Sequence, residues 1–124
     1  MTISILVVED NADNMKLFRW TLEDAGYEVT GAASAEDGFE VLNQRSFDLI
    51  VMDISLPGMD GKEATRRLRA DPLYARLPII AATAHAITEE ANAILACGVT
   101  SLVTKPIDEE AFLSEIESCL HTTT

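Results

Sequence analysis

Short apolar runs alternate along this chain with stretches of helical periodicity. The plainest run is Leu49-Ile50-Val51-Met52, closed by Asp53 and followed by the turn signals Pro57-Gly58 and Asp60-Gly61. An uninterrupted run of this length between turn signals reads as a strand buried on both faces. The pattern predicts strands over Ile3–Val8, Tyr27–Ala32, Phe47–Asp53, Ile79–Thr83 and Ser101–Thr104. Between them lie five helical stretches. Asn14–Ala25 sets Met15, Phe18, Leu22 and Ala25 on one face, and Gly26 ends it as a C-cap. Ser34, with Asp37 three residues on, N-caps a helix over Ala35–Gln44 that buries Phe39 and Leu42. Lys62–Ala70 stops before Pro72. Thr88 reads as the N-cap of a helix reaching Cys97, closed by Gly98. Asp108 caps a last helix ending near Leu120, with His121-Thr122-Thr123-Thr124 as a frayed tail.

Five βα units in succession predict an α/β fold, (βα)5. This is a doubly wound five-stranded parallel sheet of order 2-1-3-4-5, the flavodoxin-like topology. Ligands bind at the carboxyl edge of such sheets, beside the point where strand order reverses. Here that point lies between strands one and three, so Glu9-Asp10 should face Asp53.

The rest of the composition narrows the reading. With 124 residues and 48% apolar content, the chain reads as one domain over residues 1–124. No apolar run is long enough for a membrane span, and the N-terminus lacks the pattern of a signal peptide, so a cytoplasmic location is expected. Cys97 and Cys119, both placed in helices and without metal-ligand spacing, read as reduced core thiols. The net charge of −12 excludes direct nucleic-acid binding, which needs a basic surface. Four of the six arginines cluster at Arg66, Arg67, Arg69 and Arg76. The last third is acidic, through Glu89, Glu90, Glu109, Glu110 and others. First-turn acids favoured by the helix dipole explain part of that; an output surface for a basic partner is the other reading.

Four of the five strands end in polar chemistry: Glu9 and Asp10, Asp53, Thr83, Lys105. Clustered carboxylates repel, by about 4 kcal/mol per pair at 4 Å and an effective dielectric of 20. A bound divalent cation offsets that cost. Hard oxygen ligands with room for water suit Mg²⁺ and, with it, phosphoryl transfer. Asp53 is the natural nucleophile, Lys105 the one cation in the set, and the Thr83 hydroxyl a possible donor.

Glu9-Asp10, Asp53 within MDISLPGMDG, Thr83-Ala84 and Lys105-Pro106 together resemble a response regulator receiver domain of the CheY-like superfamily. The segment EDNADNMKLF is similar to single-domain regulators of the DivK type and to receivers within hybrid histidine kinases. The resemblance implies that Asp53 accepts a phosphoryl group from a phosphohistidine on a histidine kinase or histidine phosphotransferase. It implies Mg²⁺ held by Asp10, Asp53 and the backbone carbonyl of Ser55, with Glu9 acting through water. Thr83 and Lys105 would contact the phosphoryl group, and Lys105-Pro106 would be a cis peptide bond. Ser55 and His85 match positions that tune the lifetime of the phosphate, and small Ala84 leaves the approach open. Leu102 stands where many receivers carry a switching aromatic, so the response would run through the 83–88 loop or be weaker. The partners expected are the phosphodonor and a downstream protein, with no membrane contact and either a monomer or a phosphorylation-dependent dimer.

On the first helix, Trp20 points away from the core stripe, beside Leu17. With Ile107, these two are expected to dock the helices of the phosphodonor. Two other functions fit less well. An Mg²⁺-dependent phosphohydrolase of the haloacid-dehalogenase type would need an Asp two residues after Asp53, where Ser55 stands. A flavin module would need a phosphate-cradling loop where Glu9-Asp10 would repel it. Met1 directly before the first strand fits a free-standing protein; a receiver from a larger hybrid kinase is the alternative.

Overall fold

A computed structural model describes residues 2–84 and 88–121. Its elements are β1 (Ser4–Val8), α1 (Ala12–Asp24), β2 (Glu28–Ala32), α2 (Ala35–Gln44), β3 (Leu49–Asp53), α3 (Gly61–Ala70), β4 (Ile79–Thr83), α4 (Thr88–Ala96), β5 (Ser101–Thr104) and α5 (Glu109–His121). The strands pair in parallel in the order β2-β1-β3-β4-β5. This is the predicted sheet, reversal beside β1 included.

The period-2 geometry of strands divides the core between two layers. Leu6, Val8, Ile50, Met52, Ile79 and Ala81 face α2, α3 and α4, meeting Leu42, Leu68 and Ile94. Ile5, Val7, Leu49, Val51, Ile80 and Ala82 face α1 and α5, meeting Phe18, Leu22, Phe112 and Ile116. The rings of Phe18 and Phe112, 5.4 Å apart, join α1 to α5 beneath the sheet. Each fully buried Leu, Ile or Val contributes about 1.5–3 kcal/mol. The core therefore holds the strand ends, and whatever they carry, in fixed register.

Helix starts depart from the apolar pattern where the cap is polar. α1 begins at Ala12, not Asn14, because the Asn11 side chain accepts from the Asn14 N–H at 3.0 Å. Ser34, Asp60 and Asp108 cap α2, α3 and α5 in the same way. Thr88 is the first helical residue of α4 rather than its cap, and Cys97 sits in the turn after it, still buried. His121 closes α5 instead of opening a tail; residues 122–124 lie outside the described residues.

The amino edge of the sheet is tied by Arg69. Its guanidinium donates to the carbonyls of Gly98 (2.7 Å), Tyr74 (2.8 Å) and Leu77 (2.7 Å). Gly98, at φ +112°, passes so close that a Cβ there would lie 2.8 Å from Arg69 Cγ.

Candidate functional site

Strand register decides what meets at the carboxyl edge. Val8 pairs with Met52, and Thr83 pairs with Thr104. The residues that follow, Glu9, Asp53 and Lys105, therefore converge. Backbone bonds hold them there: Glu9 N donates to the Ala32 carbonyl at 3.0 Å, and Lys105 N to the Thr83 carbonyl at 2.8 Å.

The Lys105 ammonium bridges two carboxylates, at 2.8 Å from Glu9 Oε1 and 3.1 Å from Asp53 Oδ1. Glu9 and Asp53 are buried and Asp10 is exposed, yet carboxylate oxygens of all three lie within 4.8 Å of one another. Two backbone donors orient the buried pair. Ser55 N donates to Asp53 Oδ1, and Asn11 N to Glu9 Oε2, each at 3.1 Å.

Burial pushes the Glu9 carboxyl above its ordinary value. Its bond from Lys105 works against that, and the neighbouring Asp53 carboxylate adds to it. Burial pulls the Lys105 ammonium down, but its bonds and charge attraction to Glu9 and Asp53 together outweigh burial and raise it. Lys105 is thus firmly a cation, and one ammonium serves a cluster of three acids. Such a set, hard oxygens with one exposed side, has the chemistry to take a small divalent cation, and Asp53 carries a carboxylate able to attack phosphorus.

The other predicted residues fall as follows. Thr83 is buried at the end of β4, and Ala84 after it is exposed. Ser55 is exposed, with its N–H turned back to Asp53. The Lys105-Pro106 bond is cis, as expected. Leu102 is half-buried against the α2–α4 layer. His85 lies outside the described residues, as do residues 86 and 87 of the 83–88 loop. Trp20 is 60% exposed and Leu17 37%. Ile107 is half-buried and packs on the α1–α5 layer. Both cysteines are free and buried, as expected.

Two residues of the site were missed by sequence reasoning. Asn11 both caps α1 and orients Glu9; an Asn before a helical stretch was the available signal. Gly61 is required by packing, since a Cβ there would lie 2.3 Å from the Asp53 carbonyl oxygen. Its place in an Asp-Gly pair suggested only a turn.

The family profile described as "Response regulator receiver domain" matches residues 5–117. The polar-differentiation response regulator DivK of Brucella ovis is 38% identical over 120 residues, covering 97% of this chain and 98% of that protein. The sensor protein GacS of Pseudomonas syringae is 40% identical over 108 residues, covering 85% of this chain. The chain spans about 12% of the length of GacS. Among solved structures, a putative response regulator from Chloroflexus aurantiacus superposes with a TM-score of 0.94 at 28% identity, covering 98% of this chain and 99% of the other. The receiver domain of the sensor histidine kinase PA1611 from Pseudomonas aeruginosa gives 0.90 at 31% identity, over 98% and 99%. That structure is described with a magnesium ion coordinated in the active site cleft.

Proposed function

This chain belongs to the response regulator receiver domain family of two-component signalling, and on that premise we propose that Asp53 is its phosphoacceptor. A receiver is a signalling module rather than a classical enzyme. The observation that carries the proposal is Asp53 itself: a buried carboxylate at the end of the central strand, within reach of an ammonium and two further acids.

The phosphodonor is a phosphohistidine of a histidine kinase or histidine phosphotransferase. An Asp53 carboxylate oxygen attacks phosphorus, the new P–O bond forms as the P–N bond breaks, and the imidazole nitrogen leaves with a proton from solvent. Lys105 gives up part of its contact with Asp53 to meet the phosphoryl oxygens, and Thr83 donates its hydroxyl to another. Asp10, Asp53 and the Ser55 carbonyl would hold Mg²⁺, with Glu9 acting through water; the carboxylate set of Glu9, Asp10 and Asp53 fits that ion. Bound there, Mg²⁺ neutralises charge on the phosphoryl group. Ser55 and His85 tune the lifetime of the acyl phosphate, and small Ala84 leaves the phosphoryl approach open. Leu17, Trp20 and Ile107 form the docking face for the donor helices.

The same chemistry serves a receiver carried within a larger sensor kinase, the setting of the GacS match. Among the described residues no helix is long and apolar enough to cross a membrane, and the cytoplasm is the compartment we assign. The test is incubation with acetyl phosphate and Mg²⁺ followed by intact-mass measurement. A gain of one phosphoryl group that Asp53→Asn abolishes supports the proposal; labelling that survives in Asp53→Asn refutes it.

A further inference from the structure

A cleft opens at the sheet edge opposite Asp53, between the C-terminal ends of α2 and α3. It consists of two adjoining hollows of about 240 and 260 Å³ that share Leu42 and Tyr74 as a common wall. Phe39 and Leu68 line the first, Phe47 and Leu77 the second. The Tyr74 hydroxyl donates to the Leu42 carbonyl at 3.3 Å, which fixes the ring as a partition between them. Leu73 lines the second hollow and is 81% exposed.

The rim is positive in a chain that is otherwise strongly negative. Residues 66–76 carry four cations (Arg66, Arg67, Arg69, Arg76) against one acid, Asp71, which itself lines the first hollow, and the Arg69 guanidinium is held by the Gly98, Tyr74 and Leu77 carbonyls. Arg66 and Arg67 share the single carboxylate of Glu63, at 3.4 and 3.0 Å. Among the described residues Arg76, exposed on the 71–77 loop, pairs with no acid. Across the cleft the Arg45 guanidinium pairs with Glu28 at 2.6 Å and lies over the Phe47 ring, 5.2 Å from its centre.

We propose that this cleft docks a segment of a partner protein in which large apolar side chains are flanked by carboxylates. The hollows accept the apolar side chains and the arginine rim the carboxylates. The acidic remainder of the surface repels such a segment from every other face and steers it here. A basic partner would settle instead on the acidic α4–α5 side. A second copy would set −12 against −12. Because the cleft lies at the amino edge, its occupant and a phosphodonor at Asp53 can bind together, so the surface tethers the receiver without blocking phosphotransfer.

The test uses the full chain and a synthetic peptide in which Leu and Phe are each flanked by Glu, with a Lys-flanked counterpart. Backbone amide NMR shifts should centre on the end of α2 and on residues 71–77. Binding should weaken with added salt, fall about tenfold or more in Arg67→Glu and in Arg76→Glu, and fall in Leu73→Ser. Acetyl phosphate labelling should be unchanged in all three, which also shows that they are folded. No shift at millimolar Glu peptide, equal binding of the Lys peptide, or shifts centred on α1 or the α4–α5 side would overturn the proposal.

Discussion

Replacing Lys105 by Met isolates the electrostatics of the site. The side chain keeps its length and loses its charge. Two buried carboxylates then lose the ammonium that sits 2.8 and 3.1 Å away. Glu9 and Asp53, with oxygens within 4.8 Å of each other, repel by about 3.5 kcal/mol at an effective dielectric of 20. Removing one partner from a buried ion pair costs about 3–5 kcal/mol. Glu9, already pushed toward its neutral form by burial, takes up a proton in the variant and caps the loss near the lower end, about 3 kcal/mol. For 124 residues, an unfolding entropy of about 2.1 cal/mol/K per residue converts that loss into a drop of about 12 °C in Tm. The assay is calorimetry with chelator and again with Mg²⁺. A cation present at about 100 times its Kd adds about 2.7 kcal/mol. With the competing ammonium gone, Mg²⁺ should bind Lys105→Met more tightly, so the gap between the two proteins narrows on adding it. A chelated variant that melts with the wild type, or a gap that widens with Mg²⁺, would refute the reasoning.

Three further outcomes follow from the same geometry. Asp10→Asn relieves repulsion at the exposed side of the cluster, so its metal-free Tm should rise by a few degrees while Mg²⁺ binding, followed by titration calorimetry, weakens; a lower metal-free Tm would count against the clustered carboxylates. Trp20→Ala should slow phosphotransfer from a protein donor and leave acetyl phosphate labelling unchanged; equal slowing of both would remove α1 as the docking face. Glu9 gives a pH signature: its folded pKa is raised, so the stability it adds is complete below the ordinary value of 4.5 and is lost as pH rises through the folded value. The metal-free Tm of the wild type, relative to Glu9→Gln, should therefore climb as pH falls toward 4.5, and a difference that shrinks would contradict the assignment.

Features carried by local pattern were legible in the sequence, and features carried by tertiary contact were not. Leu49–Met52 announced a strand buried on both faces because no polar residue interrupts it, and all of β3 is buried. The sheet order followed from five βα units and chain handedness. The convergence of Glu9, Asp53 and Lys105 followed in turn, although Lys105 and Glu9 stand 96 residues apart. What the pattern hid was polar or steric. The start of α1 lies in the polar stretch Glu9–Asn14, broken only by Ala12, and the Asn11 cap reveals it. The need for glycine at 61 comes from the Asp53 carbonyl, a contact no local rule contains. Ile107 was read beside Leu17 and Trp20, and its packing on the α1–α5 layer is a tertiary contact that the pattern does not contain.

On the proposed function, one carboxylate, on one strand end, takes the phosphoryl group. Reduction with borohydride settles which, because it converts an aspartyl phosphate into homoserine. After treatment with acetyl phosphate and Mg²⁺, reduction and peptide mass spectrometry, the account predicts homoserine at position 53 and unaltered Glu9 and Asp10. Homoserine at position 10, or no reduced acid in a protein that had gained a phosphoryl group, would contradict it.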